Sequence, residues 1–264
     1  MTTDDLPRYL DAARGLVPTP RADAERAVAA LGTIVGVWAH PDDEAYLSTG
    51  IMRLALENGQ RVVCVTATRG ELGTSDPFTW PPDRLAATRS AELAASLAAI
   101  AHGLDHHIEH HWLDHRDGGC AEIRPEVGAA QIGHVLDRVA PDTVMTFDQG
   151  GLTGHTDHRA VAEWTTLATG DRPGIRQLDA VVPQSYVDYF DGRFDLGPLF
   201  YDGYPKPVDD AALDLDLVLG DELWHVKDRA LRAQATQADE VIEMLGPGLW
   251  KDLNLVEAFV EHRH

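Results

Sequence analysis

Short apolar runs alternate along this chain with longer stretches in which apolar residues recur at helical spacing. The runs at residues 34–39, 61–68, 106–113, 143–147 and 178–182 predict strands. Between them, Leu47, Ile51 and Leu54 share one face of a helix that runs to about Asn58, with Gly59 as its stop. Leu85, Arg89, Leu93, Leu97 and Ile100 mark a second such helix; residues 125–139 make a third, opened by its proline, and residues 156–169 a fourth. Strand and helix alternating at this spacing predict an α/β fold with a mostly parallel sheet.

The ends of the chain read differently. Leu6, Leu10 and Ala13 have helical spacing, Pro18 and Pro20 break it, and residues 21–31 form an alanine-rich helix ending at Gly32. Residues 1–32 are therefore expected to be a helical extension of one domain spanning residues 1–264. Residues 184–215 are irregular and rich in aromatics, which suits a substrate wall or lid. Helices near 221–245 and 249–262 close the chain, the first stopped by Gly246 and Pro247.

Two strand ends carry chemistry. The apolar run from Ile34 stops at His40, Pro41, Asp42, Asp43 and Glu44, and the run ending at Phe147 is followed by Gly154, His155, Thr156, Asp157 and His158. Open parallel sheets place their sites at the carboxyl ends of strands. Acids at a helix start are common on dipole grounds alone; two His/Asp clusters at two strand ends point further, to one shared cation. His40, Asp43 and His158 would supply two nitrogens and one oxygen, leaving positions open for water. Asp42 would take the proton from that water, and His155, held by Asp157, would stabilise an oxyanion as an imidazolium. The loop of residues 69–73 lies beside the first cluster. Arg69, Glu71 and, from the next helix, Arg89 are candidate substrate contacts, together with Tyr186 of the aromatic segment.

Other histidines are set aside. His106, His107, His110 and His111 alternate across a strand and read as structural or surface, and His262 and His264 as exposed. Cys64 reads as a core residue and Cys120 as non-catalytic. There is no G-x-S-x-G elbow and no phosphate-loop spacing.

Charge narrows the partners. Lys and Arg number 22 against 43 Asp and Glu, a net charge of −21, which repels nucleic acid and anionic membranes. The chain shows no basic-then-apolar leader and no apolar stretch of the ~18 residues that span a bilayer, so a cytoplasmic protein is expected. A homo-oligomer stays open.

The stretch Ala39 to Glu44 resembles the A-H-P-D-D-E signature of the PIG-L/LmbE-like zinc-dependent N-deacetylases, and Gly154 to His158 resembles their G-H-x-D-H signature. Thr68 to Glu71, Arg89 with Glu92, and Lys227 with Thr236 and Gln237 are weaker similarities, so the resemblance covers about residues 34–240. It implies a Rossmann-like sheet with helices on both faces and hydrolysis of an N-acetyl group on an amino sugar or its conjugate. It implies Zn2+, or Fe2+, on His40, Asp43 and His158, with Asp42 as base and His155, tuned by Asp157, at the oxyanion. Thr153 and Gln234 depart from the family's usual Tyr and His. Rival readings are a non-catalytic sugar- or metal-binding relative, an amidase of a thiol-sugar conjugate, and a magnesium phosphohydrolase, which the two histidines disfavour.

Overall fold

The protein is described by a computed structural model covering residues 10–11 and 15–263. In chain order the elements are β1 (Leu10–Asp11), β2 (Gly15–Leu16), α1 (Arg21–Ala29), β3 (Ile34–Trp38), α2 (Asp43–Glu57), β4 (Val62–Thr68), α3 (Pro82–Ile100) and β5 (Glu109–His115). There follow α4 (Pro125–Val139), β6 (Thr143–Phe147), α5 (Thr156–Gly170), β7 (Arg176–Ala180), α6 (Gln184–Phe190), β8 (Leu215–Val218), α7 (Asp221–Arg232), α8 (Ala235–Leu253) and β9 (Val256–Glu261).

A seven-stranded sheet runs in the order β5-β4-β3-β6-β7-β9-β8. The strands from β5 to β7 are parallel, and β9 lies antiparallel between β7 and β8. Every residue of β3, β4 and β6 is buried, as expected of strands covered on both faces. The helices form two packed groups, α1, α2, α3 and α7 in one and α4 with α5 in the other. Trp38 and Phe147, the last residues of β3 and β6, meet edge to face with centroids 5.3 Å apart. From β3 the chain steps outward to β4 and β5, then returns to lay β6 on the other side of β3. That reversal opens a crevice at the carboxyl ends of β3 and β6.

Several expectations need correcting. The third strand begins at Glu109, where Arg61 pairs with Glu109 at 2.7 Å and Val63 faces it across the ladder. The fifth is Arg176–Ala180, two residues earlier than expected. The closing helix is replaced from Val256 onward by strand β9, and the helix before it breaks at Gln234 and kinks again at Gly246. Leu10 lies in a two-residue strand, and Leu6 and Ala13 fall outside the described residues. Residues 184–215 are not wholly irregular, since they open with α6. His262 is only 15% exposed at its side chain and binds Asp179 at 2.7 Å; His264 lies outside the described residues.

Glu257 explains why β9 escaped a reading by hydrophobic pattern. It sits fully buried mid-strand, accepting from Lys227 Nζ at 3.0 Å and from the α2 backbone N–H groups of Gly50 and Ile51 at 2.9 and 3.0 Å. A side chain at position 50 would meet Leu219, so glycine lets helix and strand approach. Burial lowers the Lys227 pKa, and the Glu257 charge opposes it. Removing one partner strands a buried charge. Lys227→Met is expected to cost ~3–5 kcal/mol in urea unfolding, with part of the loss recovered in the Lys227→Met, Glu257→Gln double variant. An unchanged midpoint in the single variant would show that the pair does not hold α2 to the sheet.

Candidate active site

The first motif is a turn packed around its own acids. Asp43 Oδ2 accepts the backbone N–H groups of Ala39 and His40 at 3.2 and 2.8 Å, folding the carboxylate back beside His40. Asp42 has φ 118°, a costly conformation for a residue with a side chain, and its carbonyl starts α2. Two buried groups hold it there. Glu44 accepts the Asp42 N–H at 3.0 Å and is braced by Gln234 at 2.8 Å and Ser96 at 3.2 Å. Arg89 donates to Asp42 Oδ2 at 3.0 Å, to Gly70 O at 2.9 Å and to Pro41 O.

The second motif is built by a tight loop after β6. Asp148 accepts the Leu152 N–H at 2.6 Å, and Gly151, at φ 71°, offers its carbonyl to His158 Nδ1 at 3.1 Å. With Nδ1 as that donor, His158 Nε2 carries a lone pair; its ring stacks on Phe147 at 4.0 Å. His155 Nδ1 accepts the Asp157 N–H at 3.1 Å and caps α5, so the proton of the neutral ring sits on Nε2.

The two motifs meet at His40. Its Nδ1 lies 3.2 Å from His158 Nε2 and 3.7 Å from Asp43 Oδ2, while Asp43 Oδ1 lies 3.4 Å from His158 Nε2. Ligands ~2.1 Å from a tetrahedral ion sit ~3.4 Å apart, so these three groups fit one divalent cation. On the other side of the ring, Nε2 faces Asp117 at 3.2 Å and Asp157 at 3.4 Å. Two ligand-like groups occur among the described residues, His40 with His155 and His158, and His40 with Asp117 and Asp157. The second suits orientation better than coordination. Asp157 already accepts from Gly118 at 2.7 Å and Cys120 at 3.1 Å, and Asp117 from Leu72 at 2.8 Å. A carboxylate on the far nitrogen of a liganding imidazole is the usual supporting arrangement.

Electrostatics follow from the crowding. Burial would lower the His40 pKa, but bonds to Asp117 and Asp157 and the charge of Asp43 raise it to about 10. Burial raises Asp42 to about 7, with Asp43 adding and Arg89 opposing. Burial likewise raises Glu44 to about 8. Burial, then the neighbouring histidines, lowers His158 to about 4, and His155 is lowered by burial and by His40.

The expected site residues are thus only partly brought together. His40, Asp42, Asp43, His155, Asp157 and His158 converge. Asp157 holds His155 through its backbone N–H, while its carboxylate faces His40, and burial and the His40 charge lower the His155 pKa. The Arg89 guanidinium is buried under the first motif and braces it, with its Nε left without a partner. Arg69 donates to Asp114 at 2.7 Å and Ser90 at 3.0 Å and lies over the Trp112 ring. Glu71 binds the Asp117 N–H at 2.9 Å, and its Oε2 is buried without a partner, available to a ligand. The Tyr186 hydroxyl donates to Leu253 O at 2.9 Å, and only its ring lines a cavity. Sequence reasoning missed Asp117 and the brace formed by Glu44. The signal for Asp117 was an acid before Gly118 and Gly119 at a parallel strand's carboxyl end. Cys120 is buried with its backbone N–H on Asp157, and His110, which binds Thr66 at 3.0 Å, lies apart from the cation cradle.

Residues 35–169 match the family described as PIG-L, GlcNAc-PI de-N-acetylase. The chain belongs to the PIG-L family. This PIG-L chain is 35% identical over 207 residues to a 1D-myo-inositol 2-acetamido-2-deoxy-alpha-D-glucopyranoside deacetylase of Kineococcus radiotolerans, covering 68% of the chain but only 55% of that relative. A protein of the same name from Actinosynnema mirum is 31% identical, covering 76% of this chain and 79% of the relative. Among solved structures, an N,N'-diacetylchitobiose deacetylase of Pyrococcus horikoshii superposes with TM-score 0.63 at 20% identity, covering 98% of this chain and 94% of that one. The zinc-inhibited form of teicoplanin deacetylase Orf2 gives TM-score 0.62 at 14% identity, covering 87% and 98%. Their shared fold is the sheet described above.

A cation on His40 Nδ1 would displace the proton held there. That proton is held below a pKa of about 10, so affinity is expected to tighten ~10-fold per pH unit between pH 7 and 9. Chelator competition at fixed ionic strength reads the slope. A flat profile with full occupancy would remove His40 from the ligand set.

Proposed function

We propose that this protein is a zinc-dependent hydrolase, with ferrous iron as the alternative metal, that removes the N-acyl group from an amino sugar or amino-sugar conjugate. The observation that carries this reading is the approach of His40 Nδ1, Asp43 and His158 Nε2 to within 3.2–3.7 Å beside the Asp42 carboxylate. The bound cation supplies Lewis acidity, polarising the amide carbonyl and acidifying water. Asp42 accepts the proton of the attacking water. Its pKa of about 7 suits the task, since a base poised near the working pH is both ionised and able to pass the proton on. Arg89 keeps Oδ2 fixed, so the carboxylate does not search for its position.

His155 has its proton on Nε2 and is neutral at pH 7, which makes it a donor to the developing oxyanion. Asp117 and Asp157 fix the plane of the His40 ring. The buried, unpartnered Oε2 of Glu71 offers an acceptor for a sugar hydroxyl. The substrate class rests on the relatives' names, and Thr153 and Gln234, which depart from the family's usual Tyr and His, assign the chain to no one substrate subgroup. Among the described residues no helix is long and apolar enough to cross a membrane.

Asp42→Asn keeps the hydrogen bond from Arg89 but cannot take a proton. Its kcat on an N-acetylated amino sugar is expected to fall ~10²–10⁴-fold with zinc content unchanged. In the unaltered enzyme kcat/KM should rise with pH as Asp42 loses the proton that burial favours, and this limb should vanish in the variant. Near-normal turnover by a fully metallated Asp42→Asn protein sinks the assignment. A protein that binds zinc and sugar but releases no amine from any N-acylated sugar is the non-catalytic relative instead.

A further inference from the structure

Beside the cation cradle lies an apolar cavity of about 320 Å³. Its walls are Tyr46 and Leu47 from the first turns of α2, Leu152 and Thr153 from the loop before His155, and Val241 and Trp250 from α8. They do not include His40, Asp42, Asp43, His155 or His158 but adjoin them through Tyr46 and Thr153. Tyr46 N donates to Asp42 O at 2.9 Å, and Thr153 Oγ1 lies 3.4 Å from both His158 Nδ1 and His155 N. Phe200, also in the wall, precedes Tyr201, whose ring meets His155 edge-on at 5.6 Å.

Several polar atoms around the cavity are already engaged. The Tyr186 hydroxyl is taken by Leu253 O, Asn254 donates to Trp250 O at 2.8 Å, and Glu257 is saturated by Lys227 and the α2 backbone. A ligand there gains by burying carbon. The opposite side of the cradle is polar. Glu71 and Asp117 stand at the ends of β4 and β5, whereas the cavity opens from the side of β7 and β9.

An N-acylated amino sugar has the same polarity. Hydroxyls lie on the amine side of the scissile bond and the acyl chain on the carbonyl side. With the carbonyl at His40 and His158, hydroxyls face Glu71 and Asp117 while the acyl chain runs past Thr153. An acetyl methyl leaves most of the cavity unfilled. We propose that this cavity binds the alkyl chain of the acyl group, making the protein an N-deacylase that prefers a medium-length aliphatic acyl to acetyl. The proposal rests on the deacylase reading above and adds the acyl class to it.

The test is a series of N-acylglucosamines, acetyl through butanoyl, hexanoyl, octanoyl and decanoyl, assayed with the zinc-loaded protein. Each added methylene is expected to raise kcat/KM ~4-fold until the cavity is full. Val241→Phe, which fills the cavity from α8, should lower the octanoyl-to-acetyl ratio at least ~10-fold. Calorimetric binding of N-octanoylglucosamine and N-acetylglucosamine to the zinc-loaded protein follows the same contrast without turnover. Tighter octanoyl binding lost in Val241→Phe, with no amine released, supports the chain site and removes the hydrolase reading. Hydrolysis of the acetyl sugar with a flat chain-length series overturns the chain site and leaves the hydrolase. A gain for the octyl glycoside of N-acetylglucosamine that Val241→Phe abolishes, with no gain for N-octanoylglucosamine, gives the cavity to the aglycone and overturns the proposal.

Discussion

The carboxylates of Asp42, Asp43, Glu44, Asp117 and Asp157 crowd into one poorly hydrated corner, and much else follows from that charge. Ionised carboxylates in such a place are costly unless paired. Arg89 is the permanent positive charge packed beneath them, and His40 sits at their centre with an imidazole that holds its proton to about pH 10. The corner therefore draws positive charge, as a proton when empty and as a cation when loaded. Glu44 shows the other solution, since its raised pKa keeps it protonated near neutrality and lets one carboxyl brace the loop without adding charge.

Charge alone would not make a site; geometry separates the roles of adjacent acids. The φ of 118° at Asp42 turns its side chain toward Arg89, while Asp43, one residue later, folds back onto the N–H groups of Ala39 and His40. Such a backbone conformation costs ~1–3 kcal/mol and persists only where surroundings over-determine it. Here Arg89, Glu44 and the N-terminus of α2 do so. Gln234 and Ser96 extend the support outward, so the break between α7 and α8 is coupled to the first motif through one side chain.

Sheet order gives the site its two-sided character. Because the chain reverses between β3 and β6, the loops after β4 and β5 flank one side of the cradle and those after β7 and β8 the other. Acids dominate the first side and aromatic and aliphatic groups the second.

Local pattern was enough to determine the parallel core and to single out two acid-and-histidine clusters that the fold brings together. The strands β3, β4 and β6 are continuous apolar runs because both faces are covered, and an acid-rich turn closing such a run puts its carboxylates at the strand's carboxyl end. What escaped depends on partners far away in sequence. Strand β9 carries a buried Glu257 whose acceptability depends on Lys227 and on two backbone donors of α2, neither legible from its own residues. Arg89 packs against Pro41, Asp42 and Gly70, partners that its own helix does not reveal. Asp117 and the carboxylate of Asp157 reach His40 because β5 and α5 are folded onto the same crevice. Periodicity reports which face of an element is buried; it carries no record of which charge lies across the fold to receive a side chain. That pairing was set by the tertiary structure.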